Sequence, residues 1–557
     1  MMNFQVIKYF KIVLIALVLV SCGVSKSIHH KPIIEGYNNT ISEKVRHSDS
    51  LITIDGNFLR ESKYGHWQLL AKGDPLERGL IIGSLTQDLL QYQDRVFFEK
   101  ISNIIPSKFK QRLLRGFLKW FNRKLYLNVK EEYKTEIYGL SRYASDRYNY
   151  IAPKYLRSLY LHGAHDIGHA LQDLALVGCS SFAAWGNKTQ DGKLILGRNF
   201  DFYAGDEFAK NKLISFIKPD EGIPFVSVSW AGMIGTVSAM NLKGLTVTLN
   251  AGKSDVPLVA KTPISLVARE IIQYASTIDE AIQIAKTRTV FVAESIMVGS
   301  AADNKAVLIE VSPNNFGVYD VANNNQLLCA NHFQSAAYKD DDKNTKQILE
   351  SHSKYRFDKM TELFEKSIKI TPEIAVEMLR NKDGLNGKRI GYGNEKALNQ
   401  LLAHHGVVFK PSEKLIWVSS NPYQLGAFVA YDLDDVFDES FNKNSVFETT
   451  DLTIAADPFV NSKELLQYEV YRNLDRTIDT LLDDKNKTLH SDKLNSYIAL
   501  NPDLWVPYYK VGKYYYQKKW FTKAKYYFKA ALEKEVTTVP DLKLIKKYLK
   551  KCENKTD

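Results

Sequence analysis

The spacing of apolar side chains changes character along the chain. Between Gly73 and Leu176 they recur at helical intervals: Leu80, Ile81, Leu85, Leu89 and Leu90, then Leu113, Leu114, Phe117, Leu118 and Phe121, then Tyr133, Ile137, Leu140 and Tyr143. From Cys179 the period falls to two. Short apolar runs set off by turn residues predict strands over 194–202, 213–218, 225–231, 235–249, 295–300, 306–311 and 317–321, and in the run ending at Asn331. Helical spacing interrupts them over 263–274, 278–286, 354–364 and 372–380, and a strand pair over 415–419 and 426–432 closes the block. Antiparallel strands flanked by helices make an α+β fold, with a helical segment before it and a Lys-rich, aromatic helical segment from about residue 461 after it.

The chain opens differently. Lys8 and Lys11 precede an apolar run, Ile12 to Val20, that is much shorter than the ~20 residues a bilayer span requires, so residues 1–21 read as an export signal. The run ends in Leu19-Val20-Ser21-Cys22, which resembles a bacterial lipobox. That resemblance implies cleavage before Cys22 and acylation of its thiol, hence a lipid-anchored protein of the cell envelope. Gly23 follows in place of an Asp, which points to the outer membrane or the periplasmic face. Residues 22–60 are polar and mixed, as in a tether. The expected organisation is then a helical prosegment over 61–178, a catalytic domain over 179–440 and a helical module over 461–557.

Charge and cysteine usage narrow the function classes. The net charge of +11 comes from Lys spread over the whole chain, with no basic patch interleaved with aromatics, so nucleic acid is not the expected partner. The four cysteines are Cys22, Cys179, Cys329 and Cys552, without Cys-x-x-Cys or His-x-x-x-His spacing, and no metal or other cofactor is expected. His162, His165 and His169, at helical spacing near an expected exposed helix end, read as solvated or pH-sensitive groups, and the adjacent His404 and His405 as structural or substrate-rim residues.

The chemistry gathers around Gly178-Cys179-Ser180-Ser181. A strand leaves this step, Gln190-Asp191-Gly192-Lys193 turns the chain, and a second strand returns Arg198 and Asp201 past the cysteine. A thiol, a cation and a carboxylate so meet at one strand end. If the Gly178–Cys179 bond were cut, the new α-amine, titrating near ~8, would match a thiol near ~8.5 and could take its proton. Gly178 offers the least hindered carbonyl for the thiol to attack during such a cut. Taken alone, Cys179 reads more simply as a buried strand cysteine. Asn250, reached through the hairpin Met240 to Gly252, and Asn331, in Leu327 to Phe333, add strand-terminating amides to the set.

Gly178-Cys179, Arg198-Asn199-Phe200-Asp201-Phe202, Asn241-Leu242-Lys243-Gly244-Leu245 with Asn250, Asn331-His332-Phe333 and Ser353-Lys354-Tyr355-Arg356-Phe357 occur in an order that resembles the N-terminal-nucleophile (Ntn) hydrolases of the isopenicillin N acyltransferase and choloylglycine hydrolase superfamily. Gly73-Asp74-Pro75-Leu76-Glu77-Arg78-Gly79 also resembles the Gly-x-Pro-x-x-x-Gly signature of that family's propeptide, and the resemblance covers roughly residues 65 to 435. It implies a four-layer αββα sandwich, self-cleavage between Gly178 and Cys179, and a thioester acyl-enzyme on Cys179. It also implies site roles: Arg198 contacts the thiolate or substrate, Asp201 holds the α-ammonium, Asn250 donates to the oxyanion, Asn331 holds the amine or leaving group, and Arg356 is the late arginine. The expected partner is a small linear N-acyl amide, whose acyl group passes from the thioester to water in an amidohydrolase or to an amine in an acyltransferase.

Tyr508, Val511, Gly512, Tyr515, Ala524, Phe528 and Ala531 match the order of small and large residues in a tetratricopeptide helix pair. A single repeat forms no solenoid, so this module is either a helical hairpin docked on the catalytic domain or a surface for a protein partner. The rival to the enzyme is a non-catalytic envelope lipoprotein of the same fold that binds its partner through this tail. A papain-type peptidase would need a helix after its cysteine, where a strand is predicted.

Overall fold

The structure, a computed structural model, describes residues 23–555 apart from 164–177, 256, 258, 403 and 485–487. The signal segment, Cys22, His165 and His169 therefore lie outside the described residues.

Strands β1 (Val45–Ser48), β2 (Leu51–Ile54), β3 (Asn57–Glu61) and β4 (Trp67–Gly73) come first. After the helices of the next hundred residues follow β5 (Ser180–Ala184), β6 (Ile195–Phe200), β7 (Leu213–Pro219), β8 (Phe225–Ser229), β9 (Ser238–Asn241), β10 (Leu245–Ala251), β11 (Glu294–Ser300), β12 (Lys305–Val311), β13 (Phe316–Tyr319) and β14 (Gln326–Cys329). The last are β15 (His405–Lys410), β16 (Leu415–Ser419) and β17 (Phe428–Asp432). They form an 11-stranded sheet, ordered β1-β2-β3-β4-β7-β8-β9-β10-β11-β12-β13, and a 6-stranded sheet, ordered β14-β5-β6-β15-β16-β17.

Period-two alternation makes the layers. On β4, Leu70 faces the second sheet while Leu69 and Ala71 face helices; on β7, Ile214 and Phe216 face inward while Leu213 and Ile217 face helices. The inner faces meet through Phe216, Val228 and Met297 from the larger sheet and Val407, Ile416 and Val429 from the smaller. Helices 75–85, 131–141 and 264–274 cover the larger sheet through Ile81, Leu140 and Ile271. Helices 353–366 and 372–379 cover the smaller one through Met360, Phe364 and Val376. The result is the four-layer αββα sandwich.

The Gly73 to Gly79 motif has a packing explanation. Asp74 caps the helix by accepting from the Glu77 amide at 2.9 Å, and Pro75 occupies the first turn, where its missing N–H costs nothing. Gly79 lets helix 131–141 approach so closely that a Cβ there would lie 2.1 Å from the Glu136 carbonyl oxygen. Buried at this crossing, Glu136 accepts from Arg78 at 2.6 Å and from Arg269 at 3.3 Å, and the two cations hold its carboxyl below the usual range against the cost of burial.

Two expectations are corrected. Residues 22–60 are not a plain tether, because β1 to β3 within them extend the larger sheet. Ile52, Ile54, Phe58 and Leu59 are buried, and the hairpin turns on Asp55-Gly56, both at positive φ, the strongest short hairpin signal. The segment from 61 also begins with a strand, since β4 lies parallel to β7. Among the strands, β15 was not expected, although it sits between β6 and β16 in the smaller sheet.

From Lys463 the chain forms helices 463–483, 491–500, 505–517, 521–532 and 539–553 around their own core, including Tyr468, Tyr497, Val511 and Phe528. The approach of helices 505–517 and 521–532 requires Gly512, where a Cβ would lie 2.8 Å from the Phe528 ring. The module is docked on the catalytic domain: Asn501 accepts from the Tyr392 amide at 3.1 Å, Glu535 pairs with Lys388 and Lys396 at 2.8 and 2.6 Å, and Arg472 pairs with Asp206.

Candidate active site

Cys179 lies one residue before β5, and the register of the smaller sheet places its neighbours. Ser181 pairs with Arg198, and Ser180 with Asn199. Alternation turns Ser181 and Arg198 to the space between the sheets, and Ser180 and Asn199 to the covering helices. The Asn199 amide accordingly donates to the Leu379 and Leu398 carbonyls at 2.8 and 2.9 Å, tying β6 to the helical layer.

Arg198 crosses to the larger sheet. Its guanidinium donates to the Val237 carbonyl at 2.7 Å, to the Leu249 carbonyl and to Ser238 Oγ, and Nη2 stands 3.7 Å from Cys179 Sγ. A cation held through both terminal nitrogens by three oxygen acceptors is fixed in position before any chemistry begins. Burial pushes the Cys179 thiol above its usual range, with Arg198 pulling the other way. In the uncut chain the thiol is therefore protonated at neutral pH and needs a base.

On β10 the side chains of Leu245, Val247 and Leu249 face the helices, so Thr246, Thr248 and Asn250 face the smaller sheet. Asn250 Oδ1 accepts from Ser181 Oγ at 2.7 Å, and Nδ2 makes long bonds of 3.4 and 3.3 Å to the Cys329 and Ala330 carbonyls. An amide held by one good bond, with a weakly used N–H group, is available to a stronger acceptor such as an oxyanion. Asn331 donates to the Ala251 carbonyl at 2.9 Å, and its backbone N–H to Ser353 Oγ at 2.7 Å.

Arg356, on helix 353–366, joins the two halves of the site. It donates to the Cys179 carbonyl, to Ser180 Oγ at 2.8 Å and to Asn331 Oδ1 at 2.6 Å. Asp201 follows β6 by one residue and is buried; one oxygen accepts from Gln424 Nε2 at 3.3 Å, and the other has no hydrogen-bond partner among the described residues. Burial pushes its carboxyl up to about 7, against the pull of Arg356 and Gln424. All of Cys179, Arg198, Asp201, Asn250, Asn331 and Arg356 thus fall in one buried cluster, with Gly178 at its edge.

The raised carboxyl makes a pH prediction. Folded Asp201 holds its proton up to about pH 7, whereas the unfolded side chain loses it near 3.8, so its contribution to stability is present at low pH and is lost as pH rises between those values. In a Cys179→Ala background, Asp201→Asn is expected to gain stability relative to its parent as pH rises from 4.5 to 8, by about 3 kcal/mol at roughly 1.4 kcal/mol per pKa unit. Urea unfolding of both proteins across that range checks it; parallel curves would contradict it.

Two site residues escaped the sequence reading, Gln400 and Gln424. Gln400 Nε2 donates to the Gly178 carbonyl at 3.0 Å, the bond partner of Cys179. Gly178 also makes room for it: a Cβ at 178 would lie 2.5 Å from Gln400 Nε2. Neither glutamine falls in a periodic element, so only the fold brings them in. The module from Lys463 braces this corner, because Arg472 donates to Tyr423 Oη, next to Gln424 in the chain, and pairs with Asp206.

His162, expected to be solvated, is instead buried, and it shares a structural role with His404 and His405. His162 donates from Nδ1 to the Ser158 carbonyl at 2.8 Å and accepts at Nε2 from the Ile234 amide at 3.0 Å. His405 Nε2 meets Ser238 Oγ at 2.9 Å, and its Nδ1 meets His404 Nδ1 at 2.8 Å, so the pair supports the hydroxyl that holds Arg198. Burial lowers the pKa of His404 to about 3 and that of His405 well below the usual value. Asn241, grouped above with the motif residues, accepts from the Lys243 and Leu245 amides at 3.0 Å and donates to the Ile272 and Ala275 carbonyls at 2.8 Å, fixing the β9–β10 turn against helix 264–274. Among the described residues no group of three or more His, Cys, Asp or Glu side chains is placed to hold a metal ion.

Beside the cluster the Arg198 guanidinium lies 4.3 Å from the Phe200 ring centre, and Phe200 stacks with Phe202 and Trp230 at 5.7 and 6.3 Å. Beyond these rings lies a slot with about 40 Å³ of open volume, lined by Leu90, Phe97, Leu161, Phe202, Phe208 and Trp230 and bordered by Asp94.

Residues 187–421 match the family acyl-coenzyme A:6-aminopenicillanic acid acyl-transferase. The matched span contains Arg198, Asp201, Asn250, Asn331 and Arg356 and begins after Cys179. An uncharacterized protein of Archaeoglobus fulgidus is 26% identical over 272 residues, which are 46% of this chain and 45% of that protein, so the chain spans less than half the length of this relative. Similar solved structures include a Caenorhabditis elegans ortholog of N-acylethanolamine-hydrolyzing acid amidase, at 20% identity and a TM-score of 0.31 over 42% of this chain and 93% of that one. A mutant of conjugated bile acid hydrolase from Clostridium perfringens has 13% identity and a TM-score of 0.31 over 46% and 93%. Penicillin V acylase from Agrobacterium tumefaciens has 13% identity and a TM-score of 0.30 over 43% and 83%.

Proposed function

We propose that this chain, whose residues 187–421 match the acyl-coenzyme A:6-aminopenicillanic acid acyl-transferase family, is a self-cleaving cysteine amidohydrolase for linear N-acyl amides. The observation that carries the reading is a fixed Arg198 guanidinium 3.7 Å from Cys179 Sγ beside a Gln400 amide already bonded to the Gly178 carbonyl.

In the first reaction the Cys179 thiol gives up its proton and Sγ attacks the Gly178 carbonyl carbon; the C–N bond breaks, the Cys179 nitrogen takes a proton, and a thioester remains. Water hydrolyses it to a Gly178 carboxylate and a free thiol. In the second, the new α-amine accepts the thiol proton, held in place as an ammonium by Asp201, and Sγ attacks the amide carbon of the substrate. Asn250 donates to the oxyanion, Asn331 and Arg356 hold the amine side, and the amine departs with the proton. Water then releases the acid. The aromatic side chains beyond Phe200 favour an apolar acyl group over a polar one on that side of the site. Hydrolysis is favoured over transfer from acyl-CoA because an exported lipoprotein, anchored through acylated Cys22, meets envelope or environmental amides. The test is release of free amine from a panel of N-acyl amides of increasing chain length. Thiol-dependent turnover that rises with chain length supports the reading; no turnover with an uncut chain favours the non-catalytic lipoprotein.

Gln400 separates the two reactions, since its carbonyl partner belongs to the bond that is cut. Gln400→Ala is expected to slow self-cleavage by about a hundredfold, the usual effect of losing an oxyanion donor. The cut fraction followed by gel over hours checks it; cleavage at the parent's rate would contradict it.

A further inference from the structure

Helix 108–121, Lys-Phe-Lys-Gln-Arg-Leu-Leu-Arg-Gly-Phe-Leu-Lys-Trp-Phe, has an apolar half that the protein covers only in part. Phe121 is buried and Leu114 and Leu118 are half-buried, but Phe109 is 69% exposed, Leu113 59% and Phe117 38%. These last three are spaced i, i+4, i+8 and form one stripe along the helix. The opposite side carries Lys108, Arg112, Arg115 and Lys119, Lys110 lies at the margin, and the helix has no acidic residue. Arg123 and Lys124 continue the charge, and Ile104 and Leu127, at the two ends, are 43% and 65% exposed.

Large exposed aromatics in line, flanked by cations alone, have the composition of a helix that lies in the plane of an anionic bilayer, with its apolar stripe among the acyl chains and its cations at the headgroups. A protein partner would not require the complete absence of acidic residues. The start of the described chain agrees in position: Gly23 lies against Arg123, just past the end of this helix, where an added Cβ would be 3.9 Å from Arg123 Cδ.

We propose that helix 108–121 is a membrane-docking element for anionic lipid surfaces, with Phe109, Leu113 and Phe117 entering the bilayer. The proposal does not depend on the amidohydrolase reading or on lipid at Cys22. It would hold the enzyme flat on the surface from which apolar amides are drawn.

The test uses the full chain on vesicles of phosphatidylcholine with or without phosphatidylglycerol. A polarity-sensitive fluorophore is attached at Leu113→Cys, with a second protein labelled at Leu349→Cys, a solvent-facing leucine on helix 342–350 that is also 69% exposed, and unsubstituted protein treated with dye as the blank. The expected result is a blue shift and quenching by spin-labelled acyl chains at position 113 only, strongest with phosphatidylglycerol and reduced severalfold by high salt. Adding Phe109→Ser and Phe117→Ser should abolish the quenching while the thermal melt of the chain is kept. A probe at 113 that stays water-exposed on every vesicle would overturn the proposal, as would a dimer in solution that the same two substitutions dissolve.

Discussion

Replacing Cys179 by Ala is expected to abolish amide hydrolysis, lowering kcat/KM by roughly 10⁴-fold or more, with the fold intact. The thiol has no obvious understudy. Ser180 faces the helical layer and is bonded to Arg356, and Ser181 is bonded to Asn250. Cys329 is buried, with its thiol pushed well above the usual range chiefly by burial. Cys179→Ala fills the same space less one sulfur, so its thermal melt should stay close to that of the parent. Residual thiol-dependent turnover in the variant would transfer the nucleophile's role elsewhere.

The second large effect is at Arg356. Its guanidinium is fully buried and serves the Cys179 carbonyl, Ser180 Oγ and Asn331 Oδ1 at once, and its charge opposes the upward push of burial on Asp201. Arg356→Met keeps the apolar stem but leaves three buried acceptors without this donor. The expected cost is about 3 kcal/mol of stability, from buried neutral acceptors left without a donor, together with loss of self-cleavage. Arg356→Lys is expected to restore part of the stability without restoring cleavage, because one ammonium cannot span the acceptors of a planar fork. Denaturant unfolding together with the cut fraction separates the two effects. Cleavage by the Lys variant at the parent's rate would reduce Arg356 to a structural charge.

The parts of the site legible in the sequence were those carried by local pattern. Cys179, Arg198 and Asp201 lie on or beside two paired strands joined by residues 185–194, where Gly192 takes positive φ, so their meeting follows from strand register. Asn250 and Asn331 were visible as amides at strand ends. Gln400 and Gln424 were not, because each comes from an irregular segment and reaches the site through contacts more than 200 residues apart in sequence. The same distinction holds for the fold. Strands β1 to β3 are short and sit among polar residues, and the parallel pairing of β4 with β7 joins residues 67–73 to 213–219, which no local pattern encodes. In β15 only Val407, Val408 and Phe409 form an apolar run, and the preceding histidines obscure it. Leu113 and Phe117 show the converse. Periodicity identified their helix, but the side they present was settled only by what the fold packs beside it.

The most direct test of the account is the intact mass and amino-terminal sequence of purified wild-type protein beside Cys179→Ala. A new amino terminus at Cys179 in the wild type, absent from the variant, is the predicted result. A single uncut chain in both would contradict the self-activating nucleophile.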